Sequence, residues 1–206
     1  DEMIETVQQT GIFPDVLRFG LNAVLDSSKY VNLVPNLIRI RRKLARRLSA
    51  PLAEHVEFFD KEKFLYYSTA AKNITFGSAN QDSYKEGNLS KNDYFLRFLD
   101  ETKITQFLLD LGADLCLKTM DILGNLAGDE TLFEQSPIPP DELDKYKVLV
   151  EKLKQSDTQT LSIDEHQKLF ELALRFIPGK HKMVALSDPL REKILDARTR
   201  FREKIS

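Results

Sequence analysis

The residues best suited to chemistry lie in the run Ile38–Leu48, I-R-I-R-R-K-L-A-R-R-L, with five guanidinium groups and one ammonium within nine positions. On a helix, Arg39, Arg42, Lys43, Arg46 and Arg47 fall mainly opposite a stripe of Leu37, Ile40, Leu44 and Leu48, and Arg41 flanks it. Such a face can hold phosphates or an acidic partner helix, because Arg presents a planar fork of donors. A plainer reading is a solvated face partly paired with carboxylates on a neighbouring unit. A nuclear-import signal is a weaker fit, since half the run is committed to an apolar stripe.

Other ionisable groups are sparser. Glu54-His55-x-Glu57 followed by Asp60 gathers possible metal ligands, but no Cys or second His stands nearby, so the expectation is a surface or helix-start cluster and no metal. His166 and His181 are isolated in charged surroundings and are expected at the surface. Cys116 sits inside an apolar helix pattern and reads as a buried, inert thiol. Neither a glycine-rich phosphate loop nor a nucleophile elbow nor a zinc pattern occurs. The phenylalanine stripe Phe58, Phe59, Phe64 and Phe76 reads as core. No enzyme and no cofactor is expected.

Composition supports a soluble, packed chain. Of 206 residues, 42% are apolar and 30% charged, and thirty basic side chains nearly balance thirty-two acidic ones. There is no global pull toward nucleic acid or membrane. No apolar run is long enough to span a bilayer. The acidic start, without Met or an apolar signal core, suggests a piece of a longer protein that is not secreted. One cysteine suits a reducing compartment.

The elements that must position these residues are helical. Apolar spacings of three and four mark helices from Pro14 to about Leu25 and from about Val31 to Leu48. Further helices are expected over Lys61–Phe76, Leu115–Ala127 and Leu190 to about Lys204. Gly77–Asp93 is polar, lacks apolar periodicity and reads as a loop. Ser136–Pro140 is a rigid break before Asp141, a candidate helix cap. Ser162 and Glu165 have capping-box spacing, and Pro178-Gly179 stops the helix they start. Strand signals are nearly absent. The fold class is all-α, in one domain over 1–206.

Helix endings recur along this pattern. Asn22, Asn73, Asn125 and Phe176 occupy equivalent places, spaced by 51, 52 and 51 residues, as in stacked helical repeats. Leu117–Asp129 resembles the third helix of armadillo repeats, which often ends in Gly-Asn-Leu/Ile-Ala or Arg-Asn-Leu-Ser. Tyr66–Phe76 is similar to the second ending, with Lys72 in place of Arg. Leu17–Leu25 and Met120–Ala127 resemble helices in armadillo-like regions of the ARID-bearing subunits of SWI/SNF-type chromatin remodellers.

The resemblance implies a short armadillo/HEAT-like α-solenoid. Its function would be that of a non-catalytic protein-interaction scaffold in a nuclear chromatin-remodelling complex. Partners would be other subunits, with an acidic protein or nucleic acid at the Arg39–Arg47 face. Asn73 and Asn125 would lie on the interaction face, and no membrane is involved. The alternative is an independent peptide-binding adaptor of the nuclear-transport kind, found also in the cytoplasm. The long pitch and Phe176 in place of Asn depart from a regular peptide-reading Asn ladder.

Overall fold

The computed structural model describes residues 2–22, 25–26, 28–48, 55–76, 81–125, 136–155 and 157–205. Every regular element among them is helical, as the spacing predicts. Where the sequence suggests one domain, the chain divides into two compact units, Asp1–Phe58 and Phe59–Ser206.

The first unit holds α1 (Glu2–Gln9), α2 (Phe13–Asn22) and α3 (Leu33–Leu48). Gly11, at φ 76°, makes the left-handed turn between α1 and α2 that glycine adopts without a Cβ clash. Pro14 and Pro35 sit in the first turns of their helices, where no intrahelical N–H is lost. None of the described side chains of this unit is buried. Met3, Phe19, Val31, Ile40 and Leu44 are each more than half exposed.

The second unit holds the core. Its helices are α4 (Ala70–Thr75), α5 (Asp93–Glu101), α6 (Thr105–Asn125), α7 (Leu143–Leu153), α8 (Ile163–Arg175) and α9 (Asp188–Ile205). The central helix is α6, which buries Leu108, Leu111, Leu115, Cys116 and Met120. It packs against α5, α7 and α8, while α4 packs against α8 and α9. At the α6–α8 crossing, a Cβ on Gly112 would overlap the Leu169 carbonyl, so the absent side chain sets how close the two backbones come. Phe95, Phe98 and Phe201 join α5 to α9, with ring centroids 5.1 to 6.4 Å apart. Each fully buried side chain of this size contributes roughly 1.5–3 kcal/mol.

Local signals explain several boundaries. Thr69 caps α4 by accepting from the Lys72 N–H at 3.1 Å, and Asn92 caps α5 by accepting from Phe95 N–H at 3.0 Å. The expected capping box is present at α8. Glu165 Oε2 accepts from the Ser162 N–H at 2.8 Å and from its hydroxyl at 2.9 Å. A Lys152 ion pair adds to these bonds and pulls the Glu165 carboxyl down to about 2. Asp141 does not cap α7. It lies in a 3-10 turn, Pro140–Glu142, that leads into the helix.

Two other expectations need correction. The helix expected over Lys61–Phe76 is confined to Ala70–Thr75, and the preceding residues form turns. Nor is Gly77–Asp93 a bare loop. Beyond residues 77–80, which lie outside the described part, it forms two 3-10 turns, Asp82–Tyr84 and Glu86–Lys91. Leu89 is fully buried there, and the Ser90 hydroxyl donates to Glu171 Oε1 at 3.1 Å.

The four recurring positions fall in unequal elements. Asn22 is the last described residue of a helix of 10, and Asn73 lies in the middle of one of 6. Asn125 is the last described residue of a helix of 21 before residues outside the described part, and Phe176 caps one of 13.

Candidate functional site

Arg39, Arg42, Lys43, Arg46 and Arg47 are all exposed on α3. Six basic residues and no acidic one occur between Leu33 and Leu48. Arg46 and Arg47, in the last turn, lie where the helix dipole favours cations. Arg39 Nη2 donates to Asn36 Oδ1 at 3.1 Å. Among the described residues, Arg41, Arg42, Lys43 and Arg47 have no ion-pair partner. The opposite stripe is uncovered as well. Leu37, Ile40 and Leu44 are 46%, 58% and 54% exposed. This helix can therefore offer a cationic face and an aliphatic face at once.

Asn73 is placed quite differently. It is fully buried in the second unit, which corrects its assignment to an interaction face. Its Oδ1 accepts from the Leu65 N–H at 2.8 Å, and its Nδ2 donates to Leu65 O at 2.9 Å and Thr69 O at 3.0 Å. The amide thereby pairs with the N–H and the C=O of one residue, Leu65, and these bonds, with those to Thr69 O and from Arg198, use its hydrogen-bonding capacity in full. This is why residues before Thr69 are not helical: side-chain bonds to the backbone compete with the helix ladder.

Arg198, on α9, completes the arrangement. Its Nη2 donates to Asn73 Oδ1 and its Nε to Asn73 O at 2.7 Å. Its Nη1 donates to the carbonyls of Asp60, Lys61 and Lys63, the last at 2.8 Å. Asn73 O belongs to the final turn of α4, where carbonyls lack helical donors and carry partial negative charge. Burial pulls the guanidinium pKa down, and Asp60 partly opposes this, while the fork stays charged. Sequence reasoning missed Arg198. The available signal was its place on the apolar stripe of α9, four residues after Ile194 and three before Phe201.

At the mouth of this arrangement Phe59 and Phe76 stack with centroids 4.2 Å apart. With Arg198, Arg202 and Lys61 they line a hollow of about 250 Å³. Both rings are 42% exposed, so half of the expected phenylalanine core is surface; only Phe64 is buried. The Arg198 guanidinium lies 5.7 Å from the Phe59 centroid.

The remaining candidates are structural or outside the description. Asn125 is the last described residue of α6, and its side chain lies outside the described part. So does Glu54 of the proposed metal cluster, while His55 and Glu57 are exposed. His181, expected at the surface, is buried. Its Nδ1 accepts from the Ile177 N–H at 3.1 Å, and burial beside Lys180 pushes its pKa down to about 4. His166 is partly buried, with Nε2 2.7 Å from Thr158 O. Cys116 is buried as expected, and burial pushes its thiol up to about 12.

Among the described helices none is long and apolar enough to cross a membrane. No protein-family model, curated protein or solved structure matches the chain.

Proposed function

We propose that this chain is a non-catalytic interaction scaffold of a larger nuclear assembly. One observation carries the reading. The first unit presents three helices with large apolar side chains and buries none of its described residues, while the second unit has a dense core of its own. Exposed apolar surface on that scale marks contact with another macromolecule. In this reading the second unit is the rigid body and the first supplies contact helices.

An armadillo-like stack belongs to the proposal. Its support is the resemblance of Leu117–Asp129 and the spacing of 51, 52 and 51 residues between Asn22, Asn73, Asn125 and Phe176. Chromatin remodelling of the SWI/SNF type is the proposed setting, supported by resemblance alone. The peptide-adaptor alternative is weakened, because Asn73 spends its amide on Leu65 and Arg198 and has none left for a peptide.

The test is co-purification of the tagged chain with candidate remodeller subunits. Stoichiometric recovery of a defined subunit supports the reading. Recovery of none of them, with saturable binding of an extended peptide, replaces it with the adaptor role.

A further inference from the structure

Resting on the reading that the chain acts through contacts, we propose that α3 docks by its aliphatic stripe into an apolar groove of a partner protein whose rim carries carboxylates. Leu33, Leu37, Ile40 and Leu44 recur at intervals of four, three and four and are 43% to 58% exposed. This is the anchor spacing by which an amphipathic helix seats in a groove. At 3.6 residues per turn, Arg41 falls about 70° from the centre of that stripe on one side, and Arg47, which the sequence pattern grouped with the opposite face, about 50° from it on the other. When the stripe is seated, these two cations reach the two rims. Five of the six cations are Arg, whose planar fork matches a carboxylate with two parallel bonds.

Charge and shape disfavour other occupants. A second copy of α3 would set six cations against six, with no carboxylate between Leu33 and Leu48 to offset them. A nucleic acid would engage the Arg39, Arg42 and Arg46 face and leave the aliphatic stripe in water. A bilayer surface could take the stripe, but its lipid charges move freely and offer no fixed pair of carboxylates to the forks of Arg41 and Arg47. A carboxylate-rimmed apolar groove satisfies both faces together.

The experiment titrates the full 206-residue chain at about 0.15 M salt against three probes. Calcium-loaded calmodulin serves as the protein with an apolar, acid-rimmed groove. Phosphatidylserine-containing vesicles and a short DNA duplex represent the other anionic surfaces. The expected result is saturable binding to the groove, weakened about tenfold or more by Leu37→Asp with Leu44→Asp, and separately by Arg41→Glu with Arg47→Glu. Thermal unfolding of the second unit should be unchanged in both variants, since α3 has no buried residue. No binding to the groove, binding insensitive to the stripe variant, or tighter binding to vesicles or duplex overturns the proposal. Co-purification with remodeller subunits that survives both variants also overturns it while leaving the scaffold reading intact. Stripe-dependent groove binding without any subunit recovered supports the docking helix and removes the proposed assembly.

Discussion

Arg198 Nη2 donates to Asn73 Oδ1 at 2.5 Å across 125 residues of sequence. Arg198 and Asn73 together satisfy backbone groups at Asp60, Lys61, Lys63, Leu65 and Thr69. A stretch without regular structure is thereby held against two helices.

Replacing either partner should cost more than its own bonds. Asn73→Ala leaves the Leu65 N–H and one arm of Arg198 buried without acceptors, and should destabilise by about 3 kcal/mol. Arg198→Lys keeps the charge but not the fork, and should lose about 2 kcal/mol or more. Urea denaturation of each variant measures both. A change below the error of extrapolation in Asn73→Ala would show that the amide is replaceable.

Gly112→Ala should destabilise by about 1–3 kcal/mol, the range for overpacking. The new Cβ meets the Leu169 backbone, which no rotamer change can move aside. Gly179→Ala, where the obstacle is the Tyr67 ring and the Tyr66 carbonyl, should cost less, because the ring can turn. Thermal melts of the two variants give the order.

His181 should make stability depend on mild acid. Its pKa falls from 6.5 in the unfolded chain to about 4 in the fold, so between those values the unfolded chain binds more protons. Stability is then fully present above about pH 6.5 and declines as the pH falls through the window, by at most about 3 kcal/mol. His181→Asn, which keeps an acceptor, should flatten this slope in denaturation curves taken from pH 7 to pH 4.

Glu165→Ala should cost about 1 kcal/mol through loss of the α8 cap. It should also remove a second acid limb. The folded carboxyl titrates near 2 and the ordinary value is 4.5, so its stabilisation is present above 4.5 and is lost as the pH drops below. Lys152→Met should lower that limb without abolishing it, since the Ser162 bonds remain.

Cys116 should resist thiol reagents in the native state, because burial raises its pKa to about 12 and closes access. Labelling should follow global unfolding of the second unit, and modification at the rate of a free thiol would contradict its placement in α6.

What was legible in the sequence was local. The Ser162–Glu165 box spans four residues and folds as written. The α3 pattern gives its helix and both its faces, because neighbours on one helix decide them. The failures share a physical cause in distance along the chain. Helix formation over residues 61–69 is overridden by Asn73 and by an arginine more than a hundred residues away, which no window around Lys61 contains. Leu89 is a single apolar anchor among polar neighbours, so it leaves no periodicity, yet it is enough to seat its segment. His181 looks exposed beside Lys180 and Lys182, and only the neighbouring Ile177 amide and Phe176 ring make its burial intelligible. For the candidate site, the cationic helix was visible, and the exposure of its aliphatic stripe among the described residues was not.

The Arg198 arrangement also bears on how the chain is made. During synthesis residues 60–69 leave the ribosome long before α9 does, and their carbonyls must wait in water for a donor that has not yet been translated. The second unit therefore cannot lock until nearly its last helix has emerged, and closing so large a loop is slow relative to helix formation. A nascent chain stalled short of Arg198 should remain open to proteases and chaperones between residues 60 and 69, however complete its central helices are.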